Sequence, residues 1–121
     1  MAYTTIDKPS DYFNTKLYTG NGGTNAQTGV GFAPNWVWIK NRSGADNNAL
    51  YDTVRGANKV LVSNNTNAEG SQSDGLTAFG TDGFTVGADG AVNTNTNNFV
   101  SWNWKAGTSV SGNTGGNGTA K

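Results

Sequence analysis

The chain has no cysteine and no histidine among its 121 residues. The first absence excludes disulfides, thiol nucleophiles and cysteine-ligated zinc. The second removes the imidazole on which most general-base and metal sites near neutral pH rely, and with it a Ser-His-Asp triad. Charge is scarce too: eight Lys and Arg balance eight Asp and Glu, together 13% of the chain, roughly half the usual share. The basic residues Lys8, Lys16, Lys40, Arg42, Arg55, Lys59, Lys105 and Lys121 stand singly. No basic patch is left to neutralise a phosphate backbone, so nucleic-acid binding is not expected. No run approaches the roughly 18 apolar residues of a membrane span, so membrane insertion is not expected either. The opening MAYTTIDKPSDYF lacks the apolar stretch of a signal peptide.

What the chain does have is 18 glycines, many Asn, Thr and Ser, and apolar residues that are mostly aromatic or β-branched. This is the vocabulary of short strands and turns rather than of helices. With 11% aromatics and a net charge of zero, it is not the composition of a disordered chain.

Residues 1–11 read as an arm, since Pro9 disfavours regular structure around it. YFNTKLYT at 12–19 reads as a strand with Phe13 and Leu17 in phase and Lys16 and Tyr18 opposite; GNGG at 20–23 is a turn. WVWIKNR at 36–42 is the most β-like stretch, with Trp36 and Trp38 on one face and Val37 and Ile39 on the other. ALYDTVRG at 49–56 and KVLVSNN at 59–65 read as a strand pair, and 66–75 as a polar loop. LTAF at 76–79 and FTVG at 84–87 flank Gly80-Thr81-Asp82-Gly83, a hairpin signal. Residues 88–98 read as loop and FVSWNWK at 99–105 as the last strand, with Val100, Trp102 and Trp104 on one face. The module is thus expected over 12–107, followed at 108–121 by a Gly/Ser/Asn-rich linker that leads to a further module. About seven short strands with turns between them spell an all-β antiparallel sandwich or jelly roll with long polar loops.

The pieces YFNTKLYTGNGGTNAQTGVGF, WVWIKNR, LYDTVRGANK, SNNTNAEG, GLTAFGTDGFTVG and VSWNWKAG follow one another in this order. Together they resemble a module of tail-fibre-like virion structural proteins of marine tailed phages, of the cyanophage type, over residues 3–107. The resemblance implies a concanavalin A-like jelly roll and a place in the virion, made in the host cytoplasm and released by lysis. It implies assembly with copies of itself and with other virion proteins, or recognition of a host surface glycan. It brings no catalytic or binding residues with it.

The residues themselves point away from catalysis. Glycosidases need two carboxylates fixed about one sugar bond, and no expected strand carries two. Asp52 stands three residues before Arg55 and reads as a structural ion pair. Asp82-Gly83 and Asp89-Gly90 have the look of hairpin turns more than of a Ca²⁺ loop, and no metal or cofactor is expected. The tryptophans are the strongest features. Trp102 and Trp104, beside Val100, are expected in the core. Trp36 and Trp38 are candidates for a contact between subunits or with glycan, because Val37 and Ile39 already supply an inward face. Tyr18 and Asn103 join them as candidate contacts.

Overall fold

The computed structural model describes residues 8–106. Of the expected arm, residues 8–11 fall within this range, and the expected linker at 108–121 lies outside it. Among the described residues, nine strands make two antiparallel sheets: β1 (Phe13–Thr19), β2 (Asn25–Gln27), β3 (Trp36–Asn41), β4 (Ala49–Asp52), β5 (Lys59–Val62), β6 (Gly70–Ser71), β7 (Leu76–Phe79), β8 (Phe84–Val86) and β9 (Asn98–Trp104). The large sheet runs β1-β9-β3-β4-β5-β6 and the small one β2-β8-β7. A turn of 3₁₀ helix at Pro9–Asp11 precedes β1, and a single helical turn, α1 (Gly90–Asn93), precedes β9. The fold is an all-β sandwich.

The core lies between the sheets. Tyr18, Val37, Ile39, Ala49, Tyr51 and Phe99 come from the large sheet, Leu76, Phe84 and Val86 from the small one, and Val92 from α1. Tyr18 stacks on Phe99 with centroids 5.2 Å apart and meets Phe84 edge-on at 6.2 Å. Its hydroxyl donates to the Val92 carbonyl at 2.6 Å, which ties α1 to β1.

The hairpin expected at 76–87 is found, with Phe79 opposite Phe84. β4 and β5 also form a hairpin, with Ala49 opposite Val62, but both strands are shorter than their sequences suggest. β4 stops at Asp52 because its Oδ1 accepts from the amides of Val54 and Arg55, at 3.0 and 2.8 Å, and turns the chain. Gly56 and Asn58 then take positive φ of 96° and 68°.

β1 and β9, the first and last strands, pair along their whole length from Phe13–Trp104 to Thr19–Asn98. The flanking chain is held at the same end: the Lys105 amide donates to the Tyr12 carbonyl at 2.7 Å, and the Lys105 ammonium lies 5.6 Å from the centre of the Tyr12 ring.

Candidate functional site: the aromatic face of the large sheet

The alternation of β9 runs opposite to the expectation from sequence. Ser101 and Asn103 point into the sandwich and are fully buried, whereas Trp102 and Trp104 point outward and are half-buried. Trp102 and Trp104 are therefore not core residues. The buried polar pair is held by hydrogen bonds. Asn103 Nδ2 donates to the Asn14 carbonyl at 3.1 Å and to Ser101 Oγ at 3.1 Å, linking β9 to β1 from inside.

Registration between strands assembles the outer face from short stretches that lie far apart in sequence. Phe13, Trp104, Trp36 and Asp52 form one row across β1, β9, β3 and β4; Thr15, Trp102, Trp38, Leu50 and Leu61 form the next. Leu17, Val100 and Lys40 form a third. In the first two rows the rings touch one another. Trp104 stacks on Trp36 with centroids 4.4 Å apart and interplanar angle 24°, and on its other side Phe13 lies at 5.1 Å. Trp36 is 6.5 Å from Trp38, and Trp38 meets Trp102 edge-on at 5.7 Å. Trp38 Nε1 reaches Asn48 Oδ1 at 3.4 Å. Phe13, Leu17 and Trp36 remain 38%, 58% and 38% exposed.

The charges beside this face are tied off. Lys40 Nζ donates to the carbonyls of Gly44 and Asp46, at 3.2 and 2.8 Å. The Asp52–Arg55 ion pair is present, with Nε to Oδ2 at 2.5 Å. Arg55 also donates to the carbonyls of Leu50 and Lys59, and it faces Glu69 at 3.4 Å. Burial alone would push the Asp52 carboxyl up, but the Arg55 amide and guanidinium together hold it below its usual range.

Of the candidate contact residues, the structure therefore keeps Trp36 and Trp38 together on the outer face. Tyr18 and Asn103 lie on the opposite, buried side of the same sheet, 8% and 0% exposed, and are corrected from contact residues to core residues. Phe13 and Leu17, missed as site residues, complete the face. Their shared phase in β1 was readable; that this phase faces outward was not.

Two other places hold polar groups. Asp82, in the β7–β8 turn, lines a cleft of about 190 Å³ with Gln27, Thr28 and Phe84. Its carboxylate accepts from the amides of Gly29 and Gly31, which hold it below its usual range. Asp89 caps α1 by accepting from the Ala91 amide at 3.2 Å. Burial pushes its carboxyl up, and the charge of Asp74 adds to this. The Asp74 and Asp89 carboxylates are each engaged: Asp74 accepts from Gln72 at 3.1 Å, and Asp89 from the helix. Among the described residues, no group of three His, Cys, Asp or Glu side chains could hold a metal ion, and no helix is long and apolar enough to cross a membrane.

The model of the family described as Domain of unknown function (DUF7483) matches residues 8–121, and the chain belongs to that family. No match was found among curated proteins or among solved structures.

Proposed function

We propose that the chain is a non-enzymatic structural module of a tailed-phage virion protein, in a fibre, an appendage or a coat, that assembles with itself or with other virion proteins. One observation carries the reading: the outer face of the large sheet is a continuous ribbon of aromatic rings from Phe13 through Trp104, Trp36 and Trp38 to Trp102. A patch of this kind is what a protein contact uses, since aromatic anchors dominate interface energetics. Sugar binding by stacking needs open ring faces, and here the rings lie largely against one another. The resemblance of the sequence to phage tail-fibre-like modules supports the virion setting.

A second reading is a lectin-like domain that binds host glycan. It is favoured by Trp36, an aromatic ring 38% exposed on the open face of the sheet. Labelling of the intact particle with an antibody against residues 8–106 separates the two. Label along a shaft or across a lattice is the expected result; label at a distal tip, with saturable glycan binding that Trp36→Ala abolishes, supports the second reading. Release of reducing ends from host polysaccharide would overturn both.

A further inference from the structure

We infer that Asn21-Gly22 is a self-modification site, a step at which the chain can deamidate itself. Asn93 holds it shut for as long as the turn after β1 stays seated on the segment after α1. The inference is independent of the assembly reading.

Among the described residues this is the one Asn-Gly step. The chemistry needs only the chain and water. The Gly22 nitrogen attacks Asn21 Cγ and an N–C bond forms. The Cγ–Nδ2 bond breaks, and Nδ2 leaves as ammonia with the proton that Gly22 gives up. Water then opens the cyclic imide at either carbonyl, which leaves aspartate or, through the side-chain carbon, isoaspartate. Glycine makes the attack easy, because no Cβ crowds its nitrogen.

Exposure does not protect this step, since both residues are exposed and water reaches them. Bonding does. The Gly22 amide must lose its proton to attack, and it donates that proton to the Asn93 carbonyl at 2.9 Å. Asn21 Oδ1 accepts from the Gly23 amide at 2.9 Å and faces Asn93 Nδ2 at 3.0 Å. Asn21 Nδ2 donates to the Thr24 carbonyl at 3.0 Å, and Asn93 Oδ1 takes the Asn21 amide at 3.0 Å. Nucleophile and electrophile are thus held by separate bonds, and attack requires both to be released and aligned.

The clamp is itself anchored. Asn93 is fully buried, and its side-chain amide donates to the Gly23 and Gly87 carbonyls, at 2.6 and 2.7 Å. Beside it the Gly20 amide donates to the Asn97 carbonyl at 2.8 Å, and the Thr96 amide to the Gly20 carbonyl at 2.9 Å. Release of the step therefore means local opening of the turn from residues 93–97. Reaction makes that opening one-way. Deamidation removes the donor to the Thr24 carbonyl, and isoaspartate adds a methylene to the main chain that must fit against Asn93. Residue 21 then keeps a record of the turn having left its seat.

The test is hydroxylamine on the full chain, which traps the imide and cuts between residues 21 and 22. The Asn117-Gly118 step, outside the described residues, gives a separate fragment. The cut at 21–22 is expected to be at least about tenfold slower in the folded chain than in urea, as the loss of two or more hydrogen bonds on opening implies. Asn93→Ala, in its folded state, is expected to cut at least about tenfold faster than the parent. Val30→Ala, a loss of core packing elsewhere, is expected to keep the parent's rate. A folded parent cut as fast as in urea overturns the inference, and so does acceleration by Asn93→Ala no greater than by Val30→Ala. If Asn93→Ala does not fold, the parent alone decides. In urea below the unfolding transition, the cut and hydrogen exchange of the Gly22 amide are expected to rise together; cutting while that amide stays protected overturns the inference.

Discussion

Asp82 grips Gly31. One carboxylate oxygen accepts from the Gly31 amide at 2.7 Å, and the other from the Gly29 amide at 2.9 Å, while the Asp82 carbonyl takes the Val30 amide at 3.1 Å. Three successive amides of the loop ahead of β3 thus close on the β7–β8 turn. That loop in turn buries Val30 and Phe32.

The grip is ionic and therefore sensitive to acid. The folded Asp82 carboxyl titrates below the unfolded one, and so does that of Asp52. Their contribution is complete above the unfolded carboxyl value of about 4. It disappears as pH falls through the lower folded values. Asp82→Asn is expected to lower Tm at pH 7 and to make the fall of Tm between about pH 4 and pH 2 shallower than in the parent. Thermal melts across that range check both; parallel curves would show that the charge is immaterial.

Asp89 behaves in the opposite sense. Its folded carboxyl is raised by burial, so its charge costs stability at neutral pH, and this cost is relieved as pH falls through the raised value. Asn caps a helix as well as Asp does. Asp89→Asn is therefore expected to leave Tm unchanged or higher at pH 7, with any gain shrinking toward pH 4. A clear loss at pH 7 would mean that the carboxylate does more than cap.

Two buried tyrosines are expected to respond differently to loss of their hydroxyls. Tyr18→Phe removes the bond to the Val92 carbonyl and leaves that carbonyl without its partner. A cost of about 1–2 kcal/mol is expected in urea unfolding. The Tyr51 hydroxyl, pushed up to about 12 mainly by burial, is buried without a well-formed bond, although the Leu76 amide is near enough to influence it. Tyr51→Phe is expected to be neutral or slightly stabilising. Equal losses in the two variants would refute the distinction.

Gly20, just past β1, is set by close approach rather than by backbone angle. A Cβ there would stand 2.1 Å from the Thr94 carbonyl oxygen, and both are main-chain elements with no rotamer to yield. Gly20→Ala is expected to cost about 1–3 kcal/mol or more by denaturant titration; a variant as stable as the parent would show that the 94–97 segment shifts freely.

Much of this was legible in the sequence and some was not, for physical reasons. Strands announced by aromatic and β-branched runs fell close to where they were expected. β2 and β6, of three and two residues, were missed, because Asn25-Ala26-Gln27 and Gly70-Ser71 have no β-forming side chains and are strands only through their partners. In β9 the period was right and the direction wrong. Alternation tells which residues share a face, not which face the second sheet covers. The small sheet covers the side of Ser101 and Asn103, whose Oγ and Nδ2 donate to carbonyls of β1, bonds that no pattern in β9 reveals. The aromatic face is likewise invisible strand by strand, since Phe13, Trp36 and Trp104 meet only through registration.

The pairing of the first strand with the last also sets how the domain answers to being pulled. Phe13 and Trp104 are opposite one another where the chain enters and leaves. Tension applied through the flanking segments acts across the ladder at that end, parting one rung at a time after the Lys105–Tyr12 tie has given way. The domain is loaded as a zipper rather than in shear, so it opens at low force, with β1 peeling from the Phe13 end.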